Sequence, residues 1–89
     1  MAQYRLKLYV TGQTPRALRA ITNARRFCDE VLAGNGELVI VDVHTQPQLA
    51  EAENIVATPT LVKESPTPTQ RIVGDLFDGK LLMDTLDLQ

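Results

Sequence analysis

The side chains that could do chemistry in this sequence are few: the thiol of Cys28, the imidazole of His44, the hydroxyl of Ser65, and the carboxylate pairs Glu51/Glu53 and Asp84/Asp87. A thiol becomes a nucleophile or redox centre when a helix N-terminus or a nearby cation stabilises its thiolate. Cys28 instead falls deep in a run of helical apolar spacing, which reads as a packed and inert thiol. His44 has no second histidine and no cysteine close in sequence, so it makes a poor metal ligand and reads as a surface turn residue. Ser65 lies in a proline-flanked stretch with no evident base, which leaves it without the partner that hydroxyl nucleophiles need. Glu51 and Glu53 stand two apart and do not share a helix face, while Asp84 and Asp87 share one only on an exposed flank. Thr11-Gly12-Gln13-Thr14 has a single glycine, and Gly34-Asn35-Gly36 follows a helical pattern rather than preceding one, so neither forms a phosphate-cradling loop. The residues call for no cofactor and no metal, and they point to a binding protein rather than an enzyme.

The elements that would position these groups are legible from their periodicity. Residues 4–10 alternate, with Leu6, Leu8 and Val10 on one face and Arg5, Lys7 and Tyr9 on the other, which predicts a strand with one buried side. Thr14 is a good helix N-cap, and Pro15 suits the first helical position. From there to about residue 32, Ala17, Ile21, Ala24, Cys28 and Val31 recur at helical spacing, with Leu18, Phe27 and Leu32 widening the stripe. Arg16, Arg19, Asn23, Arg26 and Glu30 form the opposite, wet face. Gly34-Asn35-Gly36 ends this helix. Leu38-Val39-Ile40-Val41 is a continuous apolar run, the pattern of a parallel strand covered on both faces. Pro47 opens a second, short helix running from Gln48 to about Asn54. After residues 55–62, Pro66 and Pro68 interrupt a loop, Arg71-Ile72-Val73 resumes as a short strand, residues 75–79 turn, and residues 80–88 read as a last helix with Leu82, Met83 and Leu86 inward.

This order, βαβ followed by α, β, β and α, is the thioredoxin-like arrangement of a single α/β domain spanning residues 1–89. The proline that precedes the third strand in such folds, commonly after a cis peptide bond, would be Pro59. An oxidoreductase of that fold needs a thiolate where the first long helix begins; here that place reads Gly12-Gln13-Thr14-Pro15.

Composition narrows the function classes further. Eighty-nine residues with 44% apolar and 22% charged side chains suit one small globular domain. A lone cysteine excludes an internal disulfide framework and fits a reducing, cytoplasmic setting. The opening residues do not read as a signal peptide, and no stretch is long and apolar enough to span a bilayer. The net charge of −2 is unevenly spread. Residues 1–33 hold Arg5, Lys7, Arg16, Arg19, Arg25 and Arg26 against Asp29 and Glu30, and the remainder is strongly acidic. Nucleic-acid binding is disfavoured, because the basic helix face carries no interleaved aromatics.

Several blocks resemble one family. Leu8-Tyr9-Val10-Thr11-Gly12-Gln13-Thr14-Pro15 is similar to the start of the KaiB clock proteins. The resemblance continues through Val41-Asp42-Val43 and Gln46-Pro47-Gln48-Leu49-Ala50-Glu51. It is tightest at Ile55-Val56-Ala57-Thr58-Pro59-Thr60-Leu61 and Arg71-Ile72-Val73-Gly74-Asp75-Leu76. These blocks keep their order along nearly the whole chain.

The resemblance implies a non-enzymatic adaptor that binds a ring-forming KaiC-type ATPase and regulates its cycle. A KaiA-like protein or a histidine kinase would be a further partner. By position, the partner-binding residues would be Gln48, Leu49, Glu51 and Asn54, with Arg19 and Arg26 on the first helix as a supplement. A KaiB-like sensor module resembling the input domain of the kinase SasA is the alternative. The resemblance also implies fold switching, between a thioredoxin-like monomer and a dimer or tetramer whose C-terminal half adopts another fold. Pro59, Pro66 and Pro68 punctuate that half, and slow X-Pro isomerisation can separate two packings kinetically. Gly74 and Asp75 would serve backbone geometry. Where the family commonly has glycine, this chain has Asp84, which removes a helix penalty of about 0.5 kcal/mol and should favour the thioredoxin-like form. The long acidic tail of the cyanobacterial proteins is missing here, which suggests a divergent or non-cyanobacterial member.

Overall fold

The computed structural model describes residues 3–30 and 32–74. Along them run β1 (Tyr4–Val10), α1 (Pro15–Glu30), β2 (Gly36–Asp42), α2 (Pro47–Ala52), β3 (Thr60–Ser65) and β4 (Gln70–Val73). The strands form one sheet in the order β2-β1-β3-β4. β1 is parallel to β2 and antiparallel to β3, and β3 is antiparallel to β4. This is the element order the periodicity predicts. The expected turn at 75–79 and closing helix at 80–88 lie outside the described residues, with Leu82, Met83, Leu86, Asp75 and Asp84, and so does Val31.

β1 holds much of the core because it has a strand on either side, α1 over one face and α2 over the Tyr9 end of the other. Its even-numbered side chains, Leu6, Leu8 and Val10, pack against Ala17, Ala20, Ala24, Phe27 and Cys28 of α1, with Leu32 and Leu61 completing the layer. Three alanines along one helix stripe let α1 settle close to the sheet, and Phe27 fills the space beyond them. The return into β2 is just as tight. A Cβ at Gly36 would stand 2.5 Å from Leu32 Cδ1, so a larger residue there would push the Leu32 side chain out of its present place. Leu18 departs from the expected stripe and is exposed. It lies about a hundred degrees around the helix from Ala17, beyond the arc that the sheet covers, and Ala20 fills the buried place instead.

The start of α1 follows the expected chemistry. The Thr14 hydroxyl accepts the Ala17 amide at 3.1 Å, and Pro15 is the first helical residue.

The other face of the sheet corrects two expectations. Tyr9 was assigned to a wet side, yet it is fully buried with Val41 and Val62 beneath Leu49, Ala50 and Ile55. β2 was expected to be covered on both faces. It is instead an edge strand: Val41 is buried, Leu38 and Ile40 are partly covered, and Val39 is exposed. The reason is the length of α2. Six residues cover one end of this face, above Tyr9 and Val41, and leave the rest open. α2 also ends earlier than predicted. Asn54 takes a left-handed conformation (φ 54°) outside the helix, and the Ile55 amide reaches back to the Ala50 carbonyl at 2.9 Å. The Asn54 amide bonds the Glu51 carbonyl, so the helix closes with a Schellman-type cap whose apolar pair is Ile55 and Ala50.

Lys63 is an outlier to the patterning. It points to the α1 side of β3, in register between Leu6 and Gln70, and is almost fully buried. Its aliphatic stem supplies the apolar area that a leucine would give there. The Thr58–Pro59 peptide is cis, as is common for this arrangement, and Ser65–Pro66 and Thr67–Pro68 are cis as well.

Two expected outcomes follow from this packing. The Tyr9 hydroxyl is buried without a hydrogen-bond partner. An orphaned buried hydroxyl costs about 1–3 kcal/mol, so Tyr9→Phe should raise stability in urea unfolding, and a loss of more than about 1 kcal/mol would contradict it. Thr14→Ala should lower stability by about 0.5–2 kcal/mol in the same measurement, through loss of the α1 cap.

Candidate functional site

The loops that follow β1, β2 and α2 meet at one end of the sheet, and two side-chain contacts join them. Asp42, the last residue of β2, turns its carboxylate toward the amides of Gly12 (3.2 Å) and His44 (2.9 Å). These two bonds hold its carboxyl below the usual carboxylate range, because both favour the charged form. Its backbone carbonyl accepts from the Gln46 amide at 2.9 Å and the Thr45 hydroxyl at 3.2 Å, which shapes the run into α2. Gly12 sits at φ 61°, a conformation that lets its amide face the carboxylate and that glycine adopts without strain. His44 therefore serves the turn through its backbone and is exposed, in accord with its expected surface role.

Thr11 and Thr58 share a hydroxyl–hydroxyl hydrogen bond that joins the entry to α1 to the Pro59 loop. Beside it lies a small cavity of about 30 Å³ lined by Val10, Thr11, Thr14, Ala17 and Pro59 among others, with room for about one water. In the thioredoxin-like frame this is where a reactive thiolate would stand. The residues lining it include no thiol, imidazole or carboxylate. Cys28 lies elsewhere, in the α1 core layer, and opens only slightly on a shallow groove with Arg25, Asp29, Gly36 and Leu38. Burial pushes its thiol pKa up, with a smaller push from Asp29, so thiolate character is suppressed.

The structure separates the expected binding residues into two groups. Gln48, Glu51 and Asn54 are exposed on α2 and its cap, and Leu49 is half-buried, turned toward Tyr9 and Val62. Leu49 is thus divided between core and surface. Arg19 and Arg26 are exposed on α1, which packs on the opposite face of the sheet, and Arg19 has a further interaction of its own. A single flat partner surface does not span both groups. Among the residues expected to govern backbone geometry, Pro59 is buried, Pro66 and Pro68 are exposed at the β3–β4 connection, and Gly74 donates its amide to the Pro59 carbonyl at 2.8 Å.

Sequence reading missed Arg71 and Glu53. Arg71 on β4 reaches the Asn54 carbonyl at 3.4 Å and lies 3.9 Å from the Glu53 carboxylate, fastening the end of α2 to the far strand. The 17 residues between Asn54 and Arg71 in sequence hide this contact from any local pattern. Two further pairs occupy the open part of the same sheet face: Lys7 with Glu64 at 3.0 Å and Arg5 with Glu37 at 3.9 Å. The hydrogen bond that the Lys7 ammonium donates to the Glu64 carboxylate raises its pKa above the ordinary value, against partial desolvation. Cross-strand ion pairs of this kind solvate the face and add little stability each.

Among the described residues no group of three His, Cys, Asp or Glu is arranged to hold a metal. No helix among them is long and apolar enough to cross a membrane. What remains at the surface is a short, capped helix and the loop after it, braced against β4.

The Asp42 carboxylate gives a pH signature. Its folded-state pKa lies below its unfolded value near 3.9, so its contribution is present above about pH 4 and is lost as pH falls through the folded pKa. Asp42→Asn should therefore lower stability at neutral pH and flatten the acid limb of the stability profile. An acid limb identical to that of the parent chain would refute this role.

Comparison with known proteins places the chain. The KaiB domain model matches residues 7–88. The circadian clock oscillator protein KaiB of Prochlorococcus marinus (strain MIT 9312) is 47% identical over 85 residues, covering 96% of this chain and 81% of that protein. Among solved structures, the N-terminal domain of Synechococcus elongatus SasA superposes with a TM-score of 0.79 at 27% identity, covering 100% of this chain and 88% of that one. Mitochondrial thioredoxin 3 from Saccharomyces cerevisiae superposes at 0.76 with 16% identity, over 99% of this chain and 81% of the thioredoxin, a likeness of fold alone. The fold is thus thioredoxin-like, as the element order predicts.

Proposed function

Given that the chain belongs to the KaiB family, we propose that it is a non-enzymatic adaptor that docks on a KaiC-type ATPase ring in the cytoplasm and regulates its cycle. One observation carries the reading. The frame of a thiol oxidoreductase is present, while its reactive position holds Thr11, Thr14 and Thr58 around a cavity the size of one water. A domain that has this frame without its chemistry acts through its surfaces. Gln48, Glu51 and Asn54, exposed on α2 and its cap, form the docking set together with the half-buried Leu49. Arg19 and Arg26 lie behind the sheet and serve a second contact, with a KaiA-like protein as its candidate.

The family resemblance extends the proposal to fold switching, in which the segment after Glu51 adopts a second packing and the chain assembles into dimers or tetramers. In the thioredoxin-like state the chain is a monomer. The likeness to the SasA N-terminal domain favours a second reading, a sensor module that works with a histidine kinase.

Size-exclusion co-elution with the KaiC-family ATPase of the same genome, with and without ATP, separates the readings. The adaptor predicts nucleotide-dependent co-elution that Glu51→Arg weakens by about tenfold or more and Arg26→Glu leaves within about twofold. Co-elution with a histidine kinase and none with the ATPase would replace the adaptor by the sensor.

A further inference from the structure

We propose that Arg71 is the positioning residue of the docking surface: from β4 it fixes the end of α2 and the loop behind it in the conformation that the partner meets. The proposal rests on the adaptor reading above and adds to it the residue on which the shape of that site depends.

α2 has little of its own to hold it in place. Six residues are too few to stand alone, since isolated helices shorter than about 12–15 residues are marginal in water. Gln46 at its N-cap makes no side-chain cap bond, none of its residues is fully buried, and its last turn carries no basic residue. Beneath it the Tyr9 hydroxyl has no hydrogen-bond partner, so that side chain ties nothing to the helix. Asn54, just past the helix, sits at φ 54°, a left-handed conformation that costs a residue with a side chain more than it costs glycine.

Arg71 supplies what the helix lacks. It stands opposite Val62, whose side chain lies in the layer under α2. From there its Nη1 donates to the Asn54 carbonyl at 3.4 Å, and its Nη2 lies 3.9 Å from the Glu53 carboxylate. A cation at a helix C-terminus complements the open carbonyls and the negative end of the helix dipole. Here the cation comes from a strand 17 residues further along the chain. The other hydrogen bonds of residues 47–55, among the described residues, run within the helix and its caps. β4 holds the loop a second time, where the Gly74 amide meets the Pro59 carbonyl at 2.8 Å. The loop is thereby clamped to β4 at both ends, and the exposed Glu51 and Asn54 keep a fixed place relative to the sheet. A surface already held in its bound shape loses less entropy on docking.

The test pairs amide exchange in the free chain with a titration of the purified KaiC-family ATPase ring of the same genome, in the nucleotide state that supports co-elution. Arg71→Gln should speed exchange of the Asn54 and Ile55 amides about fivefold or more. Thermal unfolding and the amides of β1 should stay as in the parent chain, since the pair lies at the surface. The same variant should weaken binding about fivefold or more. Arg71→Lys, which keeps the charge but not the two-pronged donor, should fall between the parent and Arg71→Gln in both readings. Arg5→Gln removes the other 3.9 Å pair of this sheet face and should leave both readings within about twofold. Unchanged exchange at Asn54 and Ile55 in Arg71→Gln overturns the positioning role, and so does faster exchange with parent-like binding. Arg71→Lys restoring protection without affinity overturns it too, because Arg71 would then act on the partner directly. In each of these cases the adaptor reading stands. A folded parent chain that does not bind the ring at all overturns both.

Discussion

The structure depends on the position of β1. β1 has neighbours on both edges, α1 over the face of Leu6, Leu8 and Val10, and α2 over the Tyr9 end of the other face, so it contributes buried side chains to both layers of the core. The parallel pairing with β2 requires a crossover, and α1 is that crossover, so the larger core layer forms as a consequence of the topology. The antiparallel pairing with β3 sets the register of Leu61 and Val62, one for each layer. Small side chains do the rest: alanines on α1 and the bare Gly36 bring helix and sheet close enough to exclude water with few aromatics.

Much of this could be read from the sequence, and the failures have a common cause. The β1 alternation, the Thr14–Pro15 start of α1 and the proline opening of α2 are local signals, and each is found where periodicity and capping place it. Tyr9 and Val39 went wrong because burial on the second face is decided by how far a six-residue helix reaches, and no local pattern encodes that. Lys63 went unread for a similar reason: a lysine in a strand looks solvated until the register sets it beside Leu6. At the candidate site, the absence of a thiol where α1 begins was plain from Gly12-Gln13-Thr14-Pro15. The contacts of Asp42 with Gly12 and of Arg71 with Asn54 span 30 and 17 residues, and only the fold brings them together.

The loop end of the sheet shows how one frame serves different ends. An oxidoreductase of this fold would use the meeting of the β1–α1 and Pro59 loops to activate a nucleophile. Here the same meeting is closed by two threonine hydroxyls and one aspartate, groups that satisfy each other and the nearby backbone. Polar groups that would have been spent on reactivity are committed to rigidity, and the rigidity extends into the loop between α2 and β3.

The open edge of β2 has a bearing on how such a chain survives at high concentration. From Leu38 to Val41 the strand is wholly apolar, it is an edge strand among the described residues, and it contains neither proline nor lysine to blunt templated pairing with another chain. Glu37 and Asp42 flank this run, and acidic residues beside an apolar edge disfavour the close approach of a second such edge.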